Sequence, residues 1–128
     1  MNTLKLQPNE REALQTFIRQ IRADYPKQVV QTILFGSKAR GDSTPDSDID
    51  VLVILKGEDG PVCSQILTTA SRISLDYEVL LNPIIVSESR YQRQQGFTFY
   101  QNATRDAIIL TLKRGQLFFA PGMLPPGR

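Results

Sequence analysis

The sequence contains no histidine and only one cysteine, Cys63. Without histidine, the chain has no imidazole that could act as a general acid or base or as a metal ligand. A single cysteine forms neither an intramolecular disulfide nor a zinc site built from several thiolates. We therefore expect a protein of the reducing cytoplasm, and any metal it binds must be held by other side chains.

Long apolar runs are also missing. The longest of them, such as Val51–Leu55, fall far short of the roughly 20 residues that span a bilayer. No charged start leads into the apolar core of a signal peptide, so we expect no membrane partner. The net charge of +2 is too small to indicate a nucleic-acid-binding protein. Residues 89–128 are basic, which fits either a solvated face or a docking surface for an acidic partner or a nucleotide.

The chain of 128 residues has the composition of one globular domain, with 41% hydrophobic and 22% charged residues. Periodicity and turn residues predict an α/β domain in which helices cover a small sheet. A capping box at Asn9–Glu12 indicates the first helix, and Pro83 indicates an edge strand or a bulge. The expected helices are 9–24, 61–75 and 87–95, with helical turns at 37–40 and 98–105, and the expected strands are 29–35, 49–55, 78–86 and 107–112.

We assign residues 1–112 to the folded domain and residues 113–128 to a C-terminal tail that is flexible or docks on a partner. The last nine residues, APGMLPPGR, contain three prolines and two glycines, a composition typical of a chain end without regular structure. The basic stretch from Arg90 and the apolar segment Leu117–Leu124 are the expected places of partner contact.

Two aspartates stand at the start of the strand 49–55. Side chains alternate faces along a strand, so Asp48 and Asp50 point the same way with carboxylates roughly 7 Å apart. Two unpaired carboxylates on one face are unfavourable, and no cation-rich segment adjoins them. A divalent metal would neutralise both. Ligation by carboxylates alone is typical of Mg²⁺ or Mn²⁺, and it indicates phosphoryl or nucleotidyl transfer.

Gly36 and Ser37 follow the preceding strand and suit a phosphate group. Glycine permits close approach of a ligand, the Ser37 hydroxyl can bind a phosphate oxygen, and a helical turn over 37–40 presents backbone N–H groups to an anion. Lys38 and Arg40 are near enough in sequence to steady a triphosphate or a leaving pyrophosphate. Alone, Gly-Ser indicates a turn and Asp-x-Asp a solvated strand end, but together at two strand ends they favour a nucleotide site.

These residues resemble the signature of the nucleotidyltransferase superfamily that includes DNA polymerase β. The short chain is similar to the minimal nucleotidyltransferases of bacteria and archaea, over about residues 10–112. The resemblance implies a mixed sheet flanked by helices, ATP held by the Gly-Ser element, and two Mg²⁺ ions on Asp48 and Asp50. The matching segments are Gly36-Ser37, Arg40-Gly41-Asp42, Ser47–Val51 and Tyr77–Ser87.

The resemblance also implies a third carboxylate on a later strand, as a metal ligand or as the base for the acceptor hydroxyl. Asp76 and Glu78 are the candidates, and strand parity does not separate them. We favour Glu78 because it lies in the apolar run YEVLLNPIIV, whereas Asp76 is expected to end a helix or face solvent. Without a third carboxylate, nucleotide binding remains plausible and catalysis is in doubt.

Proteins of this kind are typically antitoxins that transfer AMP from ATP to a tyrosine of a HEPN-domain toxin. The resemblance therefore implies a protein adenylyltransferase whose partner is a HEPN toxin, in a homo- or hetero-oligomer. Two alternatives stay open: transfer to a hydroxyl of a small molecule such as an aminoglycoside, and a non-catalytic module that binds a nucleotide or a partner.

Overall fold

A computed structural model describes residues 6–42, 44, 46–94, 96, 101, 105 and 107–121. It confirms the expected fold class, a small mixed sheet flanked by helices. Over the described ranges, no helix is both long enough and apolar enough to cross a membrane. In chain order the elements are α1 (Pro8–Asp24), β1 (Val29–Phe35), α2 (Gly36–Arg40), β2 (Ile49–Leu55), α3 (Gly60–Tyr77), β3 (Leu81–Ser87), α4 (Glu88–Arg93), β4 (Ile108–Lys113) and β5 (Gln116–Pro121).

The strands form one sheet in the order β3-β2-β1-β4-β5. β2 and β3 are parallel and are joined by α3, while the other neighbouring strands are antiparallel. β3 is an edge strand, which is one of the two possibilities that Pro83 indicated, because proline cannot donate a hydrogen bond to a neighbouring strand. β2 lies inside the sheet and is buried along nearly its whole length, which its continuous apolar sequence predicts.

The two faces of β2 contribute to different hydrophobic clusters. Val51 and Val53 belong to the large cluster that includes the buried residues of α1 and α3. Leu52 and Ile54 belong to a smaller cluster that includes Tyr91 of α4. Side chains alternate along a strand, so the carboxylate of Asp50 lies on the same face as the smaller cluster.

The first turn of α1 differs from the expected capping box. The helix begins at Pro8, and the backbone N–H of Gln7 donates to Glu10 Oε1 at 2.8 Å. The capping pair is therefore Gln7 with Glu10, and the prediction of Asn9 with Glu12 was wrong by two residues. Proline suits the first helical position because its missing N–H would have no partner there.

Residues 116–121, which we expected in the tail, form β5 and pair with β4 along its length. Leu117 is buried in the large cluster. The hairpin turns at Arg114 and Gly115, whose φ angles are 54° and 76°. In a sequence, two-residue hairpin turns of this kind are usually indicated by Asn-Gly or Asp-Gly. The Arg-Gly pair of this chain is not such a signal, so the hairpin was not predicted. Residues 122–128 and most of the turn expected at 98–105 lie outside the described residues.

Candidate active site

Asp50 is the second residue of β2, which lies between β1 and β3 in the sheet. It is opposite Phe35 of β1 and opposite Asn82 of β3. The Asn82 side chain donates from Nδ2 to Asp50 Oδ1 at 2.9 Å. Asp50 is half-buried, and Asp48, directly before the strand, is exposed. The strand backbone and the amide of Asn82 thus fix the orientation of the Asp50 carboxylate.

Burial raises the pKa of Asp50, and the neighbouring charge of Asp48 raises it further. The hydrogen bond from Asn82 and the charge of Arg40 act in the opposite direction. A half-buried carboxylate beside a second carboxylate is stabilised in its charged form by a cation. Because both donors are hard oxygen ligands, Asp48 and Asp50 fit a divalent ion such as Mg²⁺.

Gly36 lies directly against Asp50. Its φ angle is 76°, in the left-handed region that favours glycine. A Cβ atom at this position would collide with Asp50 Oδ2 and lie 3.3 Å from Asp50 Cγ. A glycine is therefore required for the close approach between the end of β1 and the Asp50 carboxylate.

Ser37 is the second residue of α2, directly after Gly36, and is half-buried. Its carbonyl accepts hydrogen bonds from the N–H groups of Gly41 at 2.9 Å and Asp42 at 3.2 Å, which fixes the backbone of the turn. No other residue in the described part of the chain is hydrogen-bonded to its hydroxyl. The Ser37 hydroxyl is thus available to a ligand beside the two aspartates.

The structure separates the two cations that we predicted as phosphate contacts. Arg40 is exposed, with Nε 3.2 Å from Asp42 Oδ2, and its charge acts on Asp50. Lys38 is buried, and its Nζ is 2.6 Å from Glu10 Oε2. The prediction for Lys38 was therefore wrong, because the helical phase of α2 turns this side chain inward towards α1.

The structure also corrects the prediction for Glu78. α3 continues to Tyr77, and Glu78 is its C-cap with a φ angle of 56°, so it does not lie on a strand. Among the described residues, no group of three His, Cys, Asp or Glu side chains could hold a metal ion. Glu78 therefore does not join Asp48 and Asp50 as a third metal ligand. Asp76 is exposed in the last turn of α3, as expected.

Asn82 is the site residue that sequence reasoning missed. It is the polar residue inside the apolar run LLNPIIV, and it has the same parity as Glu78. Because β3 begins only at Leu81 and pairs in parallel with β2, Asn82 and not Glu78 lies beside Asp50. A neutral amide thus stands where we expected a third carboxylate.

Comparison of this sequence with known protein families and proteins identifies the family to which the chain belongs. Residues 14–108 match the nucleotidyltransferase domain family. Two Methanocaldococcus jannaschii proteins, each named "putative protein adenylyltransferase", are also similar. One is 31% identical over 80% of this chain and 98% of its own length. The other is 37% identical over 61% of this chain and 80% of its own length.

Solved structures show the same fold at lower identity. A toxin–antitoxin complex with AMP-PNP contains a chain with a TM-score of 0.52 and 17% identity, over 74% of this chain and 70% of that one. A mutant of the toxin–antitoxin pair MntA-HpeT gives a TM-score of 0.52 at 18% identity, over 86% of this chain and 76% of that one. The family match covers most of the chain and includes both aspartates and the Gly-Ser element, so the chain belongs to the nucleotidyltransferase family and is a nucleotidyltransferase.

Proposed function

We propose that this nucleotidyltransferase transfers AMP from ATP to a tyrosine hydroxyl of a HEPN-domain toxin, and that it acts in the cytoplasm as the antitoxin of the pair. The observation that carries the proposal is the placement of Asp48 and Asp50 beside Gly36 and Ser37. Two carboxylates, and a hydroxyl that no described residue engages, lie at the ends of adjacent strands, and a metal-bound triphosphate needs such groups.

Asp48 and Asp50 would hold Mg²⁺, as one ion or two, through their carboxylate oxygens. When bound, the metal compensates the charge of the phosphates and of the leaving pyrophosphate. Ser37 donates its hydroxyl to a phosphate oxygen, and Gly36 leaves room for Asp50 beside it. Arg40 is exposed and offers a cation at the rim of the site.

In the proposed reaction, the acceptor oxygen attacks the α-phosphorus of ATP. The bond from that phosphorus to the oxygen bridging to the β-phosphate breaks, and pyrophosphate leaves with the electron pair. The acceptor hydroxyl loses its proton to water as the new bond forms. The part of this chain in the step is to align the phosphates and the metal ligands.

Two further observations support a protein acceptor. The two similar archaeal proteins carry the name "putative protein adenylyltransferase", and two of the similar solved structures are of toxin–antitoxin complexes, one with AMP-PNP. The domain itself is small and consists of one sheet with its helices. Such a domain leaves room for a nucleotide site, and a protein acceptor would supply its own complementary surface.

The test is to incubate the chain with ATP labelled in the α-phosphate, Mg²⁺ and the product of the neighbouring gene. We expect label on that protein, on a tyrosine identified by mass spectrometry. Asp48→Asn should abolish the labelling, because the loss of one carboxylate removes a metal ligand and half of the anionic charge of the site.

The other outcomes contradict the proposal in different ways. Label on a small hydroxylated molecule would identify a small-molecule nucleotidyltransferase. Binding of Mg-ATP without any label would indicate a chain that binds its nucleotide without transferring it to these acceptors. Native labelling by the Asp48→Asn protein would show that the metal assignment is wrong.

A further inference from the structure

The buried ion pair between Glu10 and Lys38 has no role in the proposed chemistry. Lys38 Nζ is 2.6 Å from Glu10 Oε2, and the side chains of the two residues are only 2% and 6% exposed. Burying two charges costs free energy that their attraction repays only in part, and a well-packed apolar pair is often as stable. Stability alone is therefore a weak explanation for this pair.

Each partner makes a second contact. Glu10 Oε1 accepts the backbone N–H of Gln7 at 2.8 Å, so the carboxylate is fixed to the first turn of α1. Lys38 Nζ also donates to the carbonyl of Thr44 at 3.2 Å. The two side chains thus connect the start of α1, the helix α2 and the loop that leads to β2.

Thr44 belongs to the turn that precedes Asp48. Its N–H donates to Ser47 Oγ at 3.0 Å, and its carbonyl accepts the N–H of Ser47 at 3.0 Å. Asp48 is the next residue along the chain. A contact that fixes Thr44 therefore also fixes the backbone from which the Asp48 side chain projects.

Asp48 and Asp50 are held in different ways. Asp50 is part of β2 and accepts a hydrogen bond from Asn82. Asp48 lies outside the strand, is exposed, and depends on the loop for its position. Metal ligands must be held within about 0.5 Å of their productive geometry. The strand holds Asp50 in place, whereas Asp48 is held only if the loop before it is anchored.

We propose that Lys38, held by Glu10, is a positioning residue that anchors the loop through Thr44 and thereby sets the place of Asp48 relative to Asp50. Lys38 does not contact the nucleotide. The proposal rests on the proposed function only in that Asp48 is a metal ligand. The anchoring of the loop can be measured without any assay of nucleotide binding or transfer.

The decisive variant is the double substitution Glu10→Gln with Lys38→Met. Lys38→Met alone leaves a buried carboxylate unpaired and should lower Tm strongly. The double variant removes both charges and should recover most of that Tm, but it lacks the ammonium group that ties the Thr44 carbonyl to α2. If the pair served stability alone, a double variant with a recovered Tm would also show native hydrogen exchange in the loop and native AMP transfer.

Three properties of the double variant are measured: Tm, amide hydrogen exchange in the peptide covering residues 41–49, and transfer of labelled AMP. We expect a Tm near that of the native protein, exchange in the peptide about 10-fold faster, and transfer slower by about 100-fold, the typical effect of a misplacement of about 1 Å. Added Mg²⁺ at high concentration should restore part of the transfer rate, since a displaced ligand weakens metal binding.

Arg19→Met is the matched control. Arg19 Nη2 donates to the carbonyl of Gly115 at 2.9 Å, which is also a contact from a cation to a turn carbonyl, but at the β4–β5 hairpin. This variant should leave both the exchange of the peptide 41–49 and the transfer rate unchanged.

Native exchange and native transfer in a folded double variant would overturn the proposal. If the native protein neither binds Mg-ATP nor transfers AMP, the proposed function fails, and the exchange measurement alone decides whether Lys38 anchors the loop. Glu10→Leu with Lys38→Met is a second version with apolar side chains. Failure of both double variants to fold would assign the pair to folding and would also overturn the proposal.

Discussion

The contact between Gly36 and Asp50 gives the most specific prediction of this structure, the effect of Gly36→Ala. The added methyl group would collide with Asp50 Oδ2, and the residue would keep a φ angle near 76°. Left-handed backbone costs a residue with a Cβ atom about 1–2 kcal/mol. The collision either adds about 1–3 kcal/mol of overpacking or moves the carboxylate away from Asn82.

Gly115→Ala is a matched control for the backbone term. Gly115 has the same φ angle of 76°, but the nearest atom to its Cβ position is Arg19 Nε at 3.7 Å, an ordinary contact. Both variants should therefore lose about 1–2 kcal/mol of stability from the backbone, which corresponds to a fall in Tm of about 3–5 °C per kcal/mol in a domain of this size. Only Gly36→Ala should also disturb the aspartates.

The assay combines thermal unfolding with calorimetric titration by Mg-ATP and with transfer of labelled AMP. We expect Gly36→Ala to bind Mg-ATP at least about 10-fold more weakly, and to transfer AMP about 100-fold more slowly, if Asp50 moves by about 1 Å. Gly115→Ala should bind and transfer at the native level. Native affinity and rate in Gly36→Ala would refute the reasoning, because the close approach would then not position Asp50.

Three further predictions concern single side chains. Asp50→Asn should stabilise the metal-free protein at neutral pH. Because burial raises the pKa of Asp50, the folded state favours the protonated carboxyl. The contribution of Asp50 to the free energy of unfolding is complete below the usual carboxyl pKa of about 4 and is lost as the pH rises through the raised pKa. Urea unfolding with a chelator at several pH values checks this, and a less stable variant at neutral pH would contradict it. Glu78→Gln should leave AMP transfer unchanged, and a loss as large as that of Asp48→Asn would restore Glu78 to the site. Leu52→Ala, at a fully buried position, should cost about 2–5 kcal/mol in urea unfolding; Leu80→Ala, at a side chain 58% exposed, should change stability by less than about 0.5 kcal/mol.

Local rules of the backbone were enough to predict the fold class and to single out the two aspartates as candidate site residues. Alternation along a strand predicted that Asp48 and Asp50 share a face; β2 begins at Ile49, so this rule fixes Asp50, and the preceding loop carries Asp48. In the same way, the β-rich run before Gly36 predicted that the Gly-Ser element lies at a strand end. Pro83 indicated either an edge strand or a bulge, and the order of the sheet shows that β3 is an edge strand.

The neighbours of the aspartates could not be read from local patterns. Asn82 lies beside Asp50 because α3 extends to Tyr77 and because β3 pairs with β2 in one particular register. A shift by two residues along β3 would have kept the same parity and brought Leu80 or Ile84 there instead. Parity limits which side chains share a face, but only the pairing of the strands decides which of them meet.

The sequence by itself determined most of the helices and strands as far as β4, the buried strand β2 and a pair of carboxylates at its start, because these depend on residues close together along the chain. The tertiary structure decided that Lys38 pairs with Glu10 and not with a phosphate, that Asn82 takes the place expected of Glu78, and that residues 116–121 complete the sheet. Each of these depends on how segments far apart in sequence pack against each other, and burial and strand register are properties of that packing.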